Sequence, residues 1–100
     1  KFFSNIIGTG TISTRDSFNQ SGITDNGTGD FDFAFTNNMG NDDYTTMVGC
    51  DSATNHFCMH YSEGEQNAGG CRCYVIEVTS SPGTPTDSAV VMMDVHGDLA

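Results

Sequence analysis

Phenylalanine occupies every second position of "DFDFAFT", residues 30–36, and acidic or small residues stand between. Side chains alternate between the two faces of a β-strand, so Phe31, Phe33 and Phe35 would all lie on one face. A helix, with 3.6 residues per turn, would scatter the three rings around its axis. The segment therefore predicts a β-strand with one buried face, and the rest of the chain must supply partners for it.

Other segments carry the same kind of signal, either as alternation or as enrichment in β-branched and aromatic residues. In "TISTRDSFN", residues 11–19, we expect Ile12 and Phe18 on one face. In "AVVMMDVH", residues 89–96, one face is apolar throughout: Ala89, Val91, Met93 and Val95. The remaining predicted strands are residues 21–25, 44–50, 55–61 and 71–78.

These seven strands recur at intervals of roughly 8–12 residues, with Gly, Ser, Asn and Asp between them, which is typical of a β-sandwich or small barrel. Only 16% of the residues are charged, and no segment has the composition of a stable helix. We expect a single all-β domain over residues 1–100, an antiparallel β-sandwich or small barrel of about seven short strands.

The acidic, glycine-rich cluster "DNGTGD", residues 25–30, has three possible interpretations. A calcium loop needs oxygen ligands at alternate positions, but Gly27 and Gly29 stand there. A phosphate loop needs a following helix and a lysine, and neither is present. Asn26-Gly27 is the preferred pair for a tight hairpin, so we interpret the cluster as a turn.

The net charge excludes several functions. Thirteen acidic residues face three basic ones, giving a formal charge of −10, so the chain lacks the basic surface of a nucleic-acid-binding protein. The longest apolar run, "AVVMM", is far shorter than the ~18–20 residues that a membrane span requires. We expect no nucleic-acid partner and no membrane insertion.

The cysteines offer the clearest possible chemical cluster. The disulfide candidates are Cys50, Cys58, Cys71 and Cys73. Cross-strand disulfides are expected if the chain lives outside a cell and buried free thiols if it does not. Cys71 and Cys73 should not bridge each other, because they lie side by side on one strand. A zinc group is a weaker hypothesis, because C-x-C does not match common zinc spacings; its candidates are Cys58, His60, Cys71 and Cys73.

Catalytic motifs are also missing. Cys58 and His60 share a strand face and could form a nucleophile pair, yet no nucleophile elbow, oxyanion motif or orienting residue accompanies them. The acidic residues are scattered through turns, so no acid/base pair stands out. We expect no enzyme, no resident metal and no cofactor.

Two long segments, residues 8–49 and 71–95, resemble the carboxy-terminal domains of bacteriophage tail-fibre proteins, especially marine ones. The most specific block is "SGITDNGTGD", residues 21–30, followed by an alternating strand with "FTNNM", a tyrosine and a closing "DSAVV". Residues 50–70 depart from that pattern, and Gly40 stands where proline is common.

The resemblance implies the distal tip of a longer fibre chain in an extracellular virion. It would be a homotrimer that contacts other virion proteins and binds a host-surface glycan or protein without catalysis. The alternative is a purely structural virion component, such as a collar, capsid decoration or fibre-assembly domain. A trimer would bury some of the apolar residues that are surplus to the core of a single 100-residue domain: Phe2, Phe3, Ile6, Ile7 and Met92.

Receptor contacts are expected on loops, although the sequence assigns them no specific residue. The three loops expected to carry them are residues 37–43, 51–55 and 62–70. Tyr44, Tyr61 and Tyr74 could stack on sugars, although a structural role is the commoner one for a single tyrosine.

Overall fold

The computed structural model describes residues 1–51, 55–60, 64, 66–78 and 83–98. The elements found there are nine β-strands, numbered in chain order: β1 (Phe2–Ile7), β2 (Ser13–Phe18), β3 (Gln20–Gly27), β4 (Asp30–Phe35), β5 (Thr45–Cys50), β6 (His56–His60), β7 (Gly70–Glu77), β8 (Thr84–Pro85) and β9 (Val91–His96). In these ranges no helix is long and apolar enough to cross a membrane. The predicted all-β class is confirmed.

The strands form two antiparallel sheets. The four-stranded sheet has the order β2-β1-β9-β5, and the five-stranded sheet has the order β3-β4-β7-β6 with the short β8 added to β7. The Phe2 ring in β1 contacts Phe33 and Phe35 in β4, with centroids 6.0 and 4.9 Å apart, so the inner faces of the two sheets meet. The core lies between them.

Alternation explains which side chains fill this core. Phe31, Phe33 and Phe35 are all buried, as the spacing of β4 predicts, and their neighbours in the strand are half-buried or exposed. In β9 the buried residues are Val91, Met93 and Val95, while Ala89 is exposed and precedes the strand. The three phenylalanine rings of β4 remove a large apolar area from water, so burial of this strand contributes strongly to the stability of the domain.

The first strand was not predicted, and its absence led to a wrong expectation about surplus apolar residues. Phe2 and Ile6 are fully buried inside this domain and need no second copy to cover them. Phe3 and Ile7 point to the opposite face, so apolar residues on both faces conceal the alternation of β1. The prediction that Ile12 and Phe18 share one face is also wrong, because Ile12 packs against the core whereas Phe18 is 53% exposed and its ring stacks on Phe3 at 6.2 Å.

The hairpin at residues 25–30 is confirmed, but its bend lies two residues later than expected. Gly27 still pairs with Asp30, and the turn residues are Thr28 and Gly29. Gly29 has φ +69°, and a Cβ there would lie 2.4 Å from the Val75 carbonyl oxygen. Only glycine allows that close approach.

Candidate binding surface

A shallow cavity of about 350 Å³ opens at one end of the five-stranded sheet. Its polar lining combines Thr24 of β3 and Asp32 of β4 with Asn67 and Gly69 of the segment that precedes β7. Asp32 reaches the outer face because it alternates with the buried phenylalanines of β4. A carboxylate, a hydroxyl and an amide therefore face one solvent-open space.

Two of the predicted recognition loops meet beside this cavity. The Gln66 amide donates hydrogen bonds to the backbone oxygens of Asp42 and Tyr44, at 2.8 and 2.9 Å. The Met39 backbone N–H donates to the Ala68 oxygen at 2.8 Å. Residues 37–43 and the described part of 62–70 are thus held together, whereas residues 52–54 of the third loop lie outside the described residues.

An ion pair continues the polar surface along β4 and β7. Arg72 donates from Nε to one oxygen of Asp30 and from Nη2 to the other, at 2.7 and 2.6 Å. The Arg72 guanidinium holds the pKa of Asp30 below its ordinary value despite partial burial. Asn26 donates to Asp32 Oδ2 at 3.0 Å, and Asp32 stands opposite Arg72 in the strand register. This pairing fixes the orientation of both carboxylates.

The three tyrosines have different positions. Tyr44 is buried, and its hydroxyl lies 2.8 Å from the Asn67 oxygen and 2.7 Å from the Gly70 oxygen, so this ring supports the loops and is not open to a ligand. Burial raises its pKa. Tyr74 is half-buried on the outer face of β7, opposite Asp30. Tyr61 lies outside the described residues.

A second, apolar surface covers the outer face of the four-stranded sheet; we call it the apolar face. Its exposed or half-exposed side chains are Phe3, Ile7, Phe18, Met47 and Met92. An open cavity of about 470 Å³ lies on it, between Lys1, Phe3, Met47, Gly49 and Met92. Met47, 64% exposed, projects beside the depression that Gly49 leaves.

The cysteine candidates all point inward. Cys71 and Cys73 of β7 are buried, Cys50 and Cys58 are half-buried against the same core, and all four are free thiols. Across the strands His60 faces Cys73, whereas Cys58 faces Val75 and not a cysteine as the zinc hypothesis required. The described ranges contain no group of three His, Cys, Asp or Glu side chains placed to hold a metal ion.

Burial raises the pKa values of three of these thiols. Burial raises the pKa of Cys71 to about 12, partly opposed by the neighbouring Tyr44 hydroxyl, and it also raises the pKa values of Cys58 and Cys73. A thiolate nucleophile requires a lowered pKa, so the environment of the Cys58–His60 pair does not activate this cysteine.

Comparison of the chain with protein-family models, curated proteins and solved structures gives no match. The cavity itself was not predicted from the sequence. Asp32 could have been assigned to an outer face from the alternation of β4, but its proximity to Asn67 depends on the pairing of β4 with β7.

Proposed function

We propose that this domain is an adhesion module of a bacteriophage tail fibre, a homotrimeric β-sandwich that binds a host-surface glycan or protein without catalysis. The observation that carries the proposal is the polar cavity at the junction of two loops, held on a rigid sheet. Recognition on loops supported by a β framework is a general arrangement of binding domains. The sequence resemblance to tail-fibre domains supplies the biological setting.

The cavity suits a hydroxyl-rich ligand. Asp32 accepts hydrogen bonds, the Thr24 hydroxyl both donates and accepts, and Asn67 offers an amide. Sugar hydroxyls match this mixture, and Tyr74 lies on the same outer face, where it could add an aromatic surface. The shallow, open shape fits one or two sugar units better than a deeply enclosed small molecule.

The trimer is supported by the apolar face. With a charge of −10, two copies repel each other over most of their surface, but the outward positions of this sheet carry few acids, chiefly Asp16 and Asp94. Lys1 lies at the same cavity and could pair with those carboxylates in a neighbouring copy. Met47 projects from this face beside the open cavity, so it could enter the cavity of a neighbouring copy in a closed ring.

Glycan binding tests the adhesion function. The labelled domain should bind a subset of bacterial surface glycans or lipopolysaccharides on an array, and the variants Thr24→Ala and Asp32→Asn should weaken that binding at least tenfold. Thr45→Ala, an exposed substitution on the other sheet, is the matched control and should bind normally. Failure to bind any glycan or host cell would refute the adhesion proposal.

Light scattering at micromolar concentration tests the assembly. We expect three times the monomer mass of 10.7 kDa, and a smaller species for Met47→Asp, which places a charge on the apolar face. Thr24→Ala should stay trimeric. A monomeric wild-type domain would contradict the proposed architecture.

A second function, a structural virion component, is favoured by the apolar face alone, because such a part needs contacts with other virion copies but no receptor site. A stable trimer that binds neither glycans nor host cells would support this alternative.

A further inference from the structure

The two lateral edges of the domain are closed differently. At one edge β2 passes into β3 through Asn19, which has φ +62° and donates side-chain hydrogen bonds to the Lys1 and Asn37 oxygens at 3.2 and 3.0 Å. At the other edge β5 ends the four-stranded sheet and β6 ends the five-stranded sheet, and the two strands contact each other without pairing. The chain joins them through residues 51–55.

One cysteine from each sheet points into this second edge. Cys50 is the last residue of β5 and Cys58 is the central residue of β6, and both pack against the core. Phe57 and Met59 are exposed, which confirms that Cys58 points inward between them. Cys50 lies close enough to Cys58 to influence the pKa of that thiol, and the two strands that carry these cysteines contact each other.

The other two thiols are placed less favourably for a bridge. Cys71 and Cys73 lie on the same face of one strand, where a mutual disulfide is strained. The Cys71 thiol lies beside the Tyr44 hydroxyl. Cys73 faces His60 across the β6–β7 pair.

We propose that Cys50 and Cys58 are a redox pair whose disulfide closes the β5–β6 edge and links the two sheets covalently. With a low-molecular-weight disulfide as oxidant, one thiolate attacks the oxidant and forms a mixed disulfide, and the second thiol then displaces the remaining half. Two protein S–H bonds are lost and one S–S bond forms, while the oxidant is reduced to two thiols. The inference is independent of what the domain binds.

The reaction should be slow in the folded protein. Burial raises the pKa of Cys58, so little of its thiol is ionised at neutral pH. Mildly alkaline buffer should accelerate bridge formation, and reduction of the bridge should be slow because both cysteines are half-buried.

An alkylation experiment tests the pairing. Wild-type protein is incubated with glutathione disulfide, then denatured, and then treated with an alkylating reagent. We expect two alkylated cysteines instead of four and a mass lower by two hydrogens before alkylation. Cleavage before Asp51 and after Glu63 places Cys50, Cys58 and Cys71 on three different peptides, so only a disulfide would hold the first two of these peptides together. Trypsin cleaves after Arg72, so any bridge to Cys73 would link the two large tryptic peptides.

Cys50→Ser and Cys58→Ser should each abolish the bridge, whereas Cys71→Ser, the control, should retain it. The oxidised wild-type protein should unfold at a higher denaturant concentration than the reduced protein, and the two serine variants should lose that difference. Four free thiols after oxidation, a bridge that includes Cys71 or Cys73, or an unchanged unfolding midpoint would each overturn the proposal. Mapping of the wild-type protein decides the pairing even if a variant fails to fold.

Discussion

The Tyr44 hydroxyl holds together the two segments that border the candidate cavity, so removal of this single atom should measure how much the loop junction contributes to stability. Tyr44 is only 6% exposed, and its hydroxyl lies within hydrogen-bonding distance of the Asn67 and Gly70 oxygens. Tyr44→Phe deletes the donor and leaves the ring, whose edge packs on Phe35 at 5.6 Å, in place.

The expected loss of stability depends on which hydrogen bonds the Asn67 and Gly70 carbonyls retain in the variant. The hydroxyl has one proton and donates it to one carbonyl at a time. Asn67 and Gly70 also donate their backbone N–H groups to each other's oxygens, at 3.0 and 3.2 Å, so neither carbonyl loses its last partner. The cost should therefore be close to that of an ordinary hydrogen bond, about 1–1.5 kcal/mol, and below that of a fully unsatisfied buried group.

This free energy corresponds to a fall in Tm of roughly 5–10 °C for a domain of this size. Thermal unfolding followed by circular dichroism at neutral pH measures it. Thr45→Val, which removes a hydroxyl from an exposed residue of β5, is the control and should change Tm less. A Tyr44→Phe variant that melts within about 2 °C of the wild type would refute the reasoning, on the same scale.

The pH dependence gives a second readout. Burial raises the pKa of Tyr44 above its ordinary value of 10.0. The folded state therefore favours the neutral phenol, so this contribution to stability is complete below pH 10.0 and is lost as pH rises towards the folded-state pKa. Wild-type stability should fall more steeply above that pH than the stability of Tyr44→Phe. Parallel alkaline profiles would contradict the assignment.

Two further predictions concern the five-stranded sheet. Gly70→Ala should destabilise the domain by more than about 2 kcal/mol, because the added Cβ would lie 2.3 Å from the Phe33 oxygen. Urea unfolding measures the loss. Gly22→Ala is the control and should show little change, because the space around its Cβ is open. Asp30→Asn should cost about 1–3 kcal/mol at neutral pH by weakening the contact with Arg72. Because the pKa of Asp30 is lowered from 3.8, that contribution is present above this pH and lost as pH falls further, so wild type and variant should converge in acid. A constant difference down to about pH 2 would contradict the ion-pair explanation.

The strands that the sequence predicted well are those with one solvent-exposed face and one buried face. Phe31, Phe33 and Phe35 alternate with polar or small residues, so their period is visible without knowledge of the partner strands. β1 lacks this contrast, because Phe3 and Ile7 cover its outer face while Phe2 and Ile6 fill the core. A strand with apolar residues on both faces shows no alternation in its sequence. β1 is therefore recognised as a strand only from its pairing with β9 in the structure.

The position of the hairpin bend shows a tertiary contact overriding local turn chemistry. Asn26-Gly27 is the stronger local turn signal, yet Gly27 extends β3 with φ +134° and Gly29 makes the bend. The reason is distant in sequence: Gly29 donates its N–H to Asp87 Oδ1 at 2.9 Å, and its oxygen accepts from the Val75 N–H at 2.7 Å. Both glycines belong to the hairpin, but Val75 and Asp87, which are 46 and 58 positions from Gly29, determine that the bend forms there.

The candidate cavity depends on the same kind of long-range information. Thr24 and Asp32 are brought together by a local hairpin, which the sequence indicates, but Asn67 joins them only because β7 pairs with β4 and Gln66 ties its segment to residues 42–44. A single sequence shows which side chains can face outward, since that follows from the period of two. It does not show which outward residues become neighbours, because strand order is set by the best burial of distant apolar faces. The Asp30–Arg72 pair is therefore the most informative polar contact in the domain: it reports the β4–β7 register directly, and its loss should disturb the cavity and the sheet together.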